Sequence, residues 1–216
     1  MKTSDLLVQC TRLDCTPPET QRVIELAARV CDWSALLAEA EAHGMAPLLY
    51  RTLRAAGAQI PATATHALQG LYLTHRHANA VRNQVLQEAL AALAATGIEA
   101  LVVKGGALCH LLYPDSGLRP MSDLDLLVRR DTIKPARQAL CKLGLSVSGE
   151  CDSQPDKSLP TAGLTVDGVW VGIELHHDLF EAAFDATMTL DDLTVEMLKF
   201  PLGEGGTKAR TLGWED

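Results

Sequence analysis

The residues of this 216-residue chain whose types and spacing suit chemistry fall in three short stretches. They are Lys104-Gly105-Gly106, then Arg119-Pro120-Met121-Ser122-Asp123-Leu124-Asp125, then Ile173-Glu174-Leu175-His176. On a strand, residues i and i+2 project from the same face, so Asp123 and Asp125 present two carboxylates side by side while Leu124 and Leu126 point into a core. Adjacent carboxylates repel one another, and a divalent cation relieves that repulsion; oxygen donors in this spacing suit Mg²⁺ or Mn²⁺. Glu174 alternates in the same way, with Ile173 and Leu175 on one side and Glu174 and His176 on the other. If its strand pairs beside the aspartate strand, three carboxylates converge, as two-metal phosphoryl or nucleotidyl transfer requires. Upstream, Gly105 and Gly106 open a helix where backbone N–H groups can approach a phosphate closely. Lys104 and Arg119 supply cations suited to a triphosphate.

Ordinary explanations compete at each position. An Asp-x-Asp pair also serves as a cap or a solvated edge, Glu174 fits an outer sheet face, and Lys104 or Arg119 fits a surface ion pair. For His176 and His177, packing at the end of a hairpin is the favoured reading. Asp115, in Pro114-Asp115-Ser116-Gly117, is explained by turn chemistry.

The elements that position these groups divide near Gly97. Before it the chain reads as helix. Thr16-Pro17-Pro18-Glu19 is a capping box with proline in the first turn, Asp32 caps a helix over Trp33–His43 that stops at Gly44, and Gly57 closes another. From about Ala62 to Thr96 one long stripe includes Leu68, Leu71, Tyr72, Val81, Val85, Leu86 and Leu93. After Gly97 the predicted elements are a buried strand over Ile98–Val103, a helix over Ala107–Tyr113 and a loop over Pro114–Met121. A strand over Asp123–Val128, a helix from Asp131 to Leu143, and a short strand over Leu145–Ser148 follow. Glu150–Pro160 reads as a loop. Asp167-Gly168 then joins Leu164–Val166 to Val169–His176 as a hairpin with a primed turn. The expected fold class is therefore α+β: a helical region over 1–97, then a core over 98–216 with a small mixed sheet flanked by helices.

Composition narrows the function classes. With 47% hydrophobic residues and a net charge of −8, the chain buries a core and does not favour general DNA binding. No apolar run approaches the roughly 18–20 residues of a membrane-spanning helix, and the start lacks a signal-peptide pattern, so a cytoplasmic location is expected. The six cysteines form no Cys-x-x-Cys pair and suit reduced thiols rather than disulfides or zinc.

The strand, the Lys-Gly-Gly helix start, Arg-Pro-Met-Ser-Asp-Leu-Asp-Leu-Leu-Val and the later Ile-Glu-Leu-His together resemble the uncharacterised bacterial nucleotidyltransferase family of the DNA polymerase beta-like superfamily. The helical leader around His43-Gly44-Met45-Ala46-Pro47-Leu48-Leu49-Tyr50 is similar as well. The resemblance implies a nucleotidyltransferase core, a phosphate loop at Gly105 and Gly106, metal ligands at Asp123 and Asp125, and Glu174 as third carboxylate and base. It also implies Mg²⁺ or Mn²⁺, an NTP substrate with ATP the first candidate, and transfer of a nucleoside monophosphate to an acceptor hydroxyl with release of pyrophosphate. The acceptor is a small molecule, a protein or an RNA. Lys104 and Arg119 match family positions, and their phosphate role follows from charge and place. The Gly106-to-Asp123 interval is long, which suggests an insertion over the site at Pro114–Ser122. The end at Asp216 suggests a core without a C-terminal helical extension. Two alternatives accompany this reading: a non-catalytic nucleotide-sensing or protein-binding descendant of the fold, and a toxin-like transferase acting on tRNA or a protein.

Overall fold

The computed structural model describes residues 4–147, 158–179, 187–193, 197–202 and 207–213. Contacts divide the chain into two units, one of residues 1–79 with 113–120 and the other of residues 80–112 with 121–216. The expected boundary at Gly97 marks the end of a helix; the division by contacts falls inside that helix, because its two halves feed different cores.

The first unit is helical: α1 (Ser4–Gln9), α2 (Pro17–Ala27), α3 (Trp33–Ala42), α4 (Ala46–Ala56) and the opening half of α5 (Ala62–Ala95). The caps form as their residue types dictate. The Glu19 carboxylate accepts the Thr16 backbone N–H at 2.8 Å, and Asp32 accepts from the Ala35 N–H at 2.9 Å. Leu6, Leu26, Leu36, Leu49 and Leu68 are fully buried together in its core. Residues 113–120, most of which fall in the stretch 114–122 predicted as an insertion, are built into this unit. The buried Asn79 amide donates to the carbonyls of Ser116 at 2.6 Å and Arg119 at 2.8 Å. Gly117 lies so close to α5 that a Cβ there would meet the Arg76 Cα at 3.0 Å.

The second unit holds a five-stranded sheet, in the order β1-β2-β5-β4-β3, made of β1 (Ala100–Val103), β2 (Asp123–Val128), β3 (Ser146–Val147), β4 (Ser158–Val166) and β5 (Val169–His176). β2 and β5 run parallel, whereas the other neighbours are antiparallel. A two-stranded ribbon of β6 (Leu198–Leu202) and β7 (Thr207–Thr211) completes it. The strands' alternation sorts their side chains as expected. Leu124, Leu126, Ile173 and Leu175 join the core with Val81, Val85, Leu86 and Leu93 of α5 and with α7 (Ile133–Lys142). Leu127 goes to the opposite face with Leu101 and Val103. The hairpin turn is as predicted, with Asp167 at φ 48 and Gly168 at φ 76, the left-handed pair a primed turn needs. β4 extends further back than expected, to Ser158; part of the predicted 150–160 loop lies outside the described residues.

One boundary differs in a way that matters. Helix α6 (Lys104–Leu111) begins at Lys104, directly after β1, not at Ala107. Lys104 itself has φ 50, a left-handed value that non-glycine residues rarely adopt. Gly106 is buried, and a Cβ there would lie 2.8 Å from Val102 Cγ1 and 3.6 Å from Leu124 Cδ2. Glycine at 106 is therefore explained by the close seating of α6 on β1 and β2.

Candidate active site

Strand register assembles the site. In the parallel β2–β5 pair, Asp125 lies opposite Glu174, Asp123 opposite Gly172 and Leu127 opposite His176. On the other side of β2, Val103 pairs with Asp125, so Lys104, the next residue, emerges beside that carboxylate. Three elements distant in sequence thus deliver Lys104, Asp125, Glu174 and His176 to one place.

Asp125 Oδ1 is the centre of this group. It accepts from Lys104 Nζ at 2.7 Å and lies 2.8 Å from His176 Nε2. Nζ is 3.5 Å from the same imidazole nitrogen, and Glu174 Oε2 is 3.7 Å from it. Asp125 and His176 are buried, Glu174 is half-buried, and the Lys104 side chain is 54% exposed. Burial pushes the Asp125 carboxyl up, but the hydrogen bonds from His176 and Lys104 outweigh it and hold the group below its ordinary value. For Lys104, burial works against the charged form. The bond to Asp125 and the charges of Asp125, Glu174 and Asp123 more than offset that, and the ammonium is held above its ordinary range.

The expected trio of Asp123, Asp125 and Glu174 compares with an observed cluster of Asp125, Glu174 and His176. Donor atoms of the latter three all lie within 4.8 Å of one another, close enough to share one divalent cation. Asp123 is outside that cluster; its carboxylate accepts from Ser122 Oγ at 2.9 Å, and its charge reaches both Lys104 and Arg82. His176, read from the sequence as a packing residue, is buried and faces the carboxylates. Gly105 is the second residue of α6, while Gly106 packs inward as described. Arg119 falls in the helical unit, where its backbone is held by Asn79.

Arg82 was missed by sequence reasoning. It is buried on α5 (9% exposed), and burial works to lower its pKa while the Asp123 charge supports the guanidinium. A signal existed, since Arg82 sits within the apolar stripe, beside Val81 and one turn before Val85 and Leu86. A charged residue in a core-facing stripe needs a polar reason to be there.

Fold and geometry together define an α+β protein in which a mixed sheet holds a carboxylate and imidazole cluster able to bind a divalent cation, beside a helix opened by Lys-Gly-Gly. The chain belongs to the uncharacterised nucleotidyltransferase family, which matches over residues 30–216. Among solved structures, it is similar to one from Thermotoga maritima described as a "putative nucleotidyltransferase", at 18% identity with a TM-score of 0.38, over 61% of this chain and 77% of that one. No curated protein matches the chain. Among the described residues, no helix is long and apolar enough to cross a membrane.

Proposed function

We propose that this protein is a metal-dependent nucleotidyltransferase that moves a nucleoside monophosphate from an NTP to an acceptor hydroxyl and releases pyrophosphate. The observation that carries the reading is the convergence of Asp125, Glu174 and His176 within 4.8 Å, beside Lys104, in a chain of this family. Asp125 and Glu174 would hold a divalent ion, Mg²⁺ or Mn²⁺, with Asp123 completing the shell or serving a second ion. Such an ion supplies charge stabilisation to the phosphoryl group being transferred.

The rest of the chemistry belongs to the chain. Glu174 is the more accessible carboxylate of the cluster, which suits it to take the acceptor hydroxyl's proton. The backbone at Gly105, in the first turn of α6, offers N–H groups and the positive end of the helix to a phosphate. Lys104 and Arg82 bring positive charge toward the carboxylates and are suited to the β and γ phosphates. ATP is the first nucleotide to test.

The deciding experiment incubates the protein with each α-labelled NTP, Mg²⁺ or Mn²⁺ and a cell extract. A labelled acceptor and released pyrophosphate are expected, with rates at least about 100-fold lower for Asp125→Asn. Undiminished labelling by an Asp123→Ala, Asp125→Ala chain would end the proposal. The Lys104–Asp125 ion pair favours a second reading, a nucleotide-binding descendant without turnover. NTP binding without pyrophosphate release under every metal tested would select it.

A further inference from the structure

The position of His176 bears on which ion the site takes. We propose that His176 is a direct metal ligand through Nε2, and that the cluster therefore selects a first-row transition ion such as Mn²⁺ over Mg²⁺. This rests on the metal-dependent reading above and sharpens it.

Three observations support the assignment. The imidazole nitrogen lies 2.8 Å from Asp125 Oδ1 and 3.7 Å from Glu174 Oε2, spacings that donors around a single six-coordinate ion adopt. The ring is buried, its parity on β5 places it with Glu174, and the parallel register sets it next to Asp125. Finally, a cation already sits there: the Lys104 ammonium is 2.7 Å from Asp125 Oδ1 and 3.5 Å from His176 Nε2, so positive charge at this point meets both groups at once.

Donor chemistry does the rest. Mg²⁺ is a hard ion that prefers oxygen donors, keeps several waters and demands a tight octahedron. To ligate, the ring must carry its proton on Nδ1 and exchange the Nε2–H bond to Asp125 for a bond to the ion; neutral imidazole is then a borderline donor whose affinity rises from Mn²⁺ through Fe²⁺ to Co²⁺. An all-carboxylate site, whose hard oxygen donors suit Mg²⁺ and Mn²⁺ alike, would discriminate less. Replacing His176 should therefore change which ion is preferred, whereas replacing Glu174 should weaken all of them.

Mn²⁺ binding to the full chain, measured by electron paramagnetic resonance with Mg²⁺ as competitor, tests this without reference to turnover. The wild-type chain is expected to bind Mn²⁺ at least about tenfold more tightly than Mg²⁺, and pulsed spectra should show coupling to one ¹⁴N nucleus. His176→Asn should abolish that coupling and bring the two affinities to within about threefold, while Glu174→Gln weakens both ions. If His176→Asn does not fold, single His→Gln changes at the other six histidines decide the matter: the nitrogen coupling should survive each of them, and its loss in one that still binds Mn²⁺ would overturn the assignment to His176. Mn²⁺ bound at an Asp125-dependent site with no nitrogen coupling would overturn the assignment to His176 and leave the metal-dependent reading intact. No Asp125-dependent Mn²⁺ binding, with or without a non-hydrolysable NTP analogue, would overturn both.

Discussion

At the scale of single residues, the proposed function would give Lys104 two competing duties. Its ammonium is bonded to Asp125 Oδ1, on the carboxylate that would hold a divalent ion. On the proposed reading, an ion at this cluster would compete with that bond and release the ammonium toward phosphate. Lys104→Met should tighten Mn²⁺ binding in the absence of nucleotide by about three- to tenfold, a modest gain because the lysine is well exposed and its ion pair is screened. The same change should weaken NTP binding, and calorimetric titration of each ligand separates the two effects. His110 makes a prediction of another kind. Its Nε2 lies 3.1 Å from Asn83 Oδ1, its ring stacks on Phe200 at 5.4 Å, and burial holds its pKa below the ordinary 6.5. The unfolded chain then takes up a proton near pH 6.5 that the folded chain refuses, so stability falls as pH drops through that value. Melting temperatures between pH 7.5 and 5.5 should decline in the wild type, and the decline should be shallower in His110→Gln.

At the scale of elements, the hairpin shows how a local rule builds a face. Gly163 on β4 pairs with Gly172 on β5, and the Trp170 indole lies across both: a Cβ at Gly172 would come within 2.4 Å of the ring, and one at Gly163 within 2.6 Å. Alanine is ordinarily the better strand residue, by roughly 0.5–1 kcal/mol, yet here it must displace an indole. The clash outweighs the propensity, and Gly172→Ala should destabilise by about 1–3 kcal/mol in denaturant unfolding, with a shift in tryptophan fluorescence. Much at this scale was legible in the sequence. Asp167-Gly168 announced its turn, Thr16 and Asp32 their helices, and the alternation in Asp123–Val128 and Val169–His176 sorted core from site. The pairing of Asp125 with Glu174 was not legible, because register between strands about fifty residues apart depends on the whole sheet. Nor was the start of α6 at Lys104, since a lysine at φ 50 goes against local preference and is held by its surroundings.

At the scale of the molecule, the hidden fact was where one unit gives way to the other. The stripe on α5 has one period throughout, but Leu68 and Leu71 enter the helical core, whereas Val81, Val85, Leu86 and Leu93 enter the core under the sheet. Periodicity shows which face is buried, not which partner buries it. A chain of residues 98–216 lacks those four side chains, a loss of about 6–12 kcal/mol of burial, comparable to the entire stability of a domain. It should show no cooperative unfolding by circular dichroism, while a chain of residues 80–216 should unfold cooperatively; equal melting of the two would refute the division inside α5. The return of residues 113–120 to the helical unit also bears on synthesis. Domains fold in order as the chain leaves the ribosome, at roughly 5–20 residues per second. Here the unit that begins first is not complete when its first 79 residues have emerged. Its last piece, the stretch that Asn79 clasps, emerges only after β1 and α6 of the other unit, so the helical unit closes while the first strand of the sheet is already out and waiting for β2.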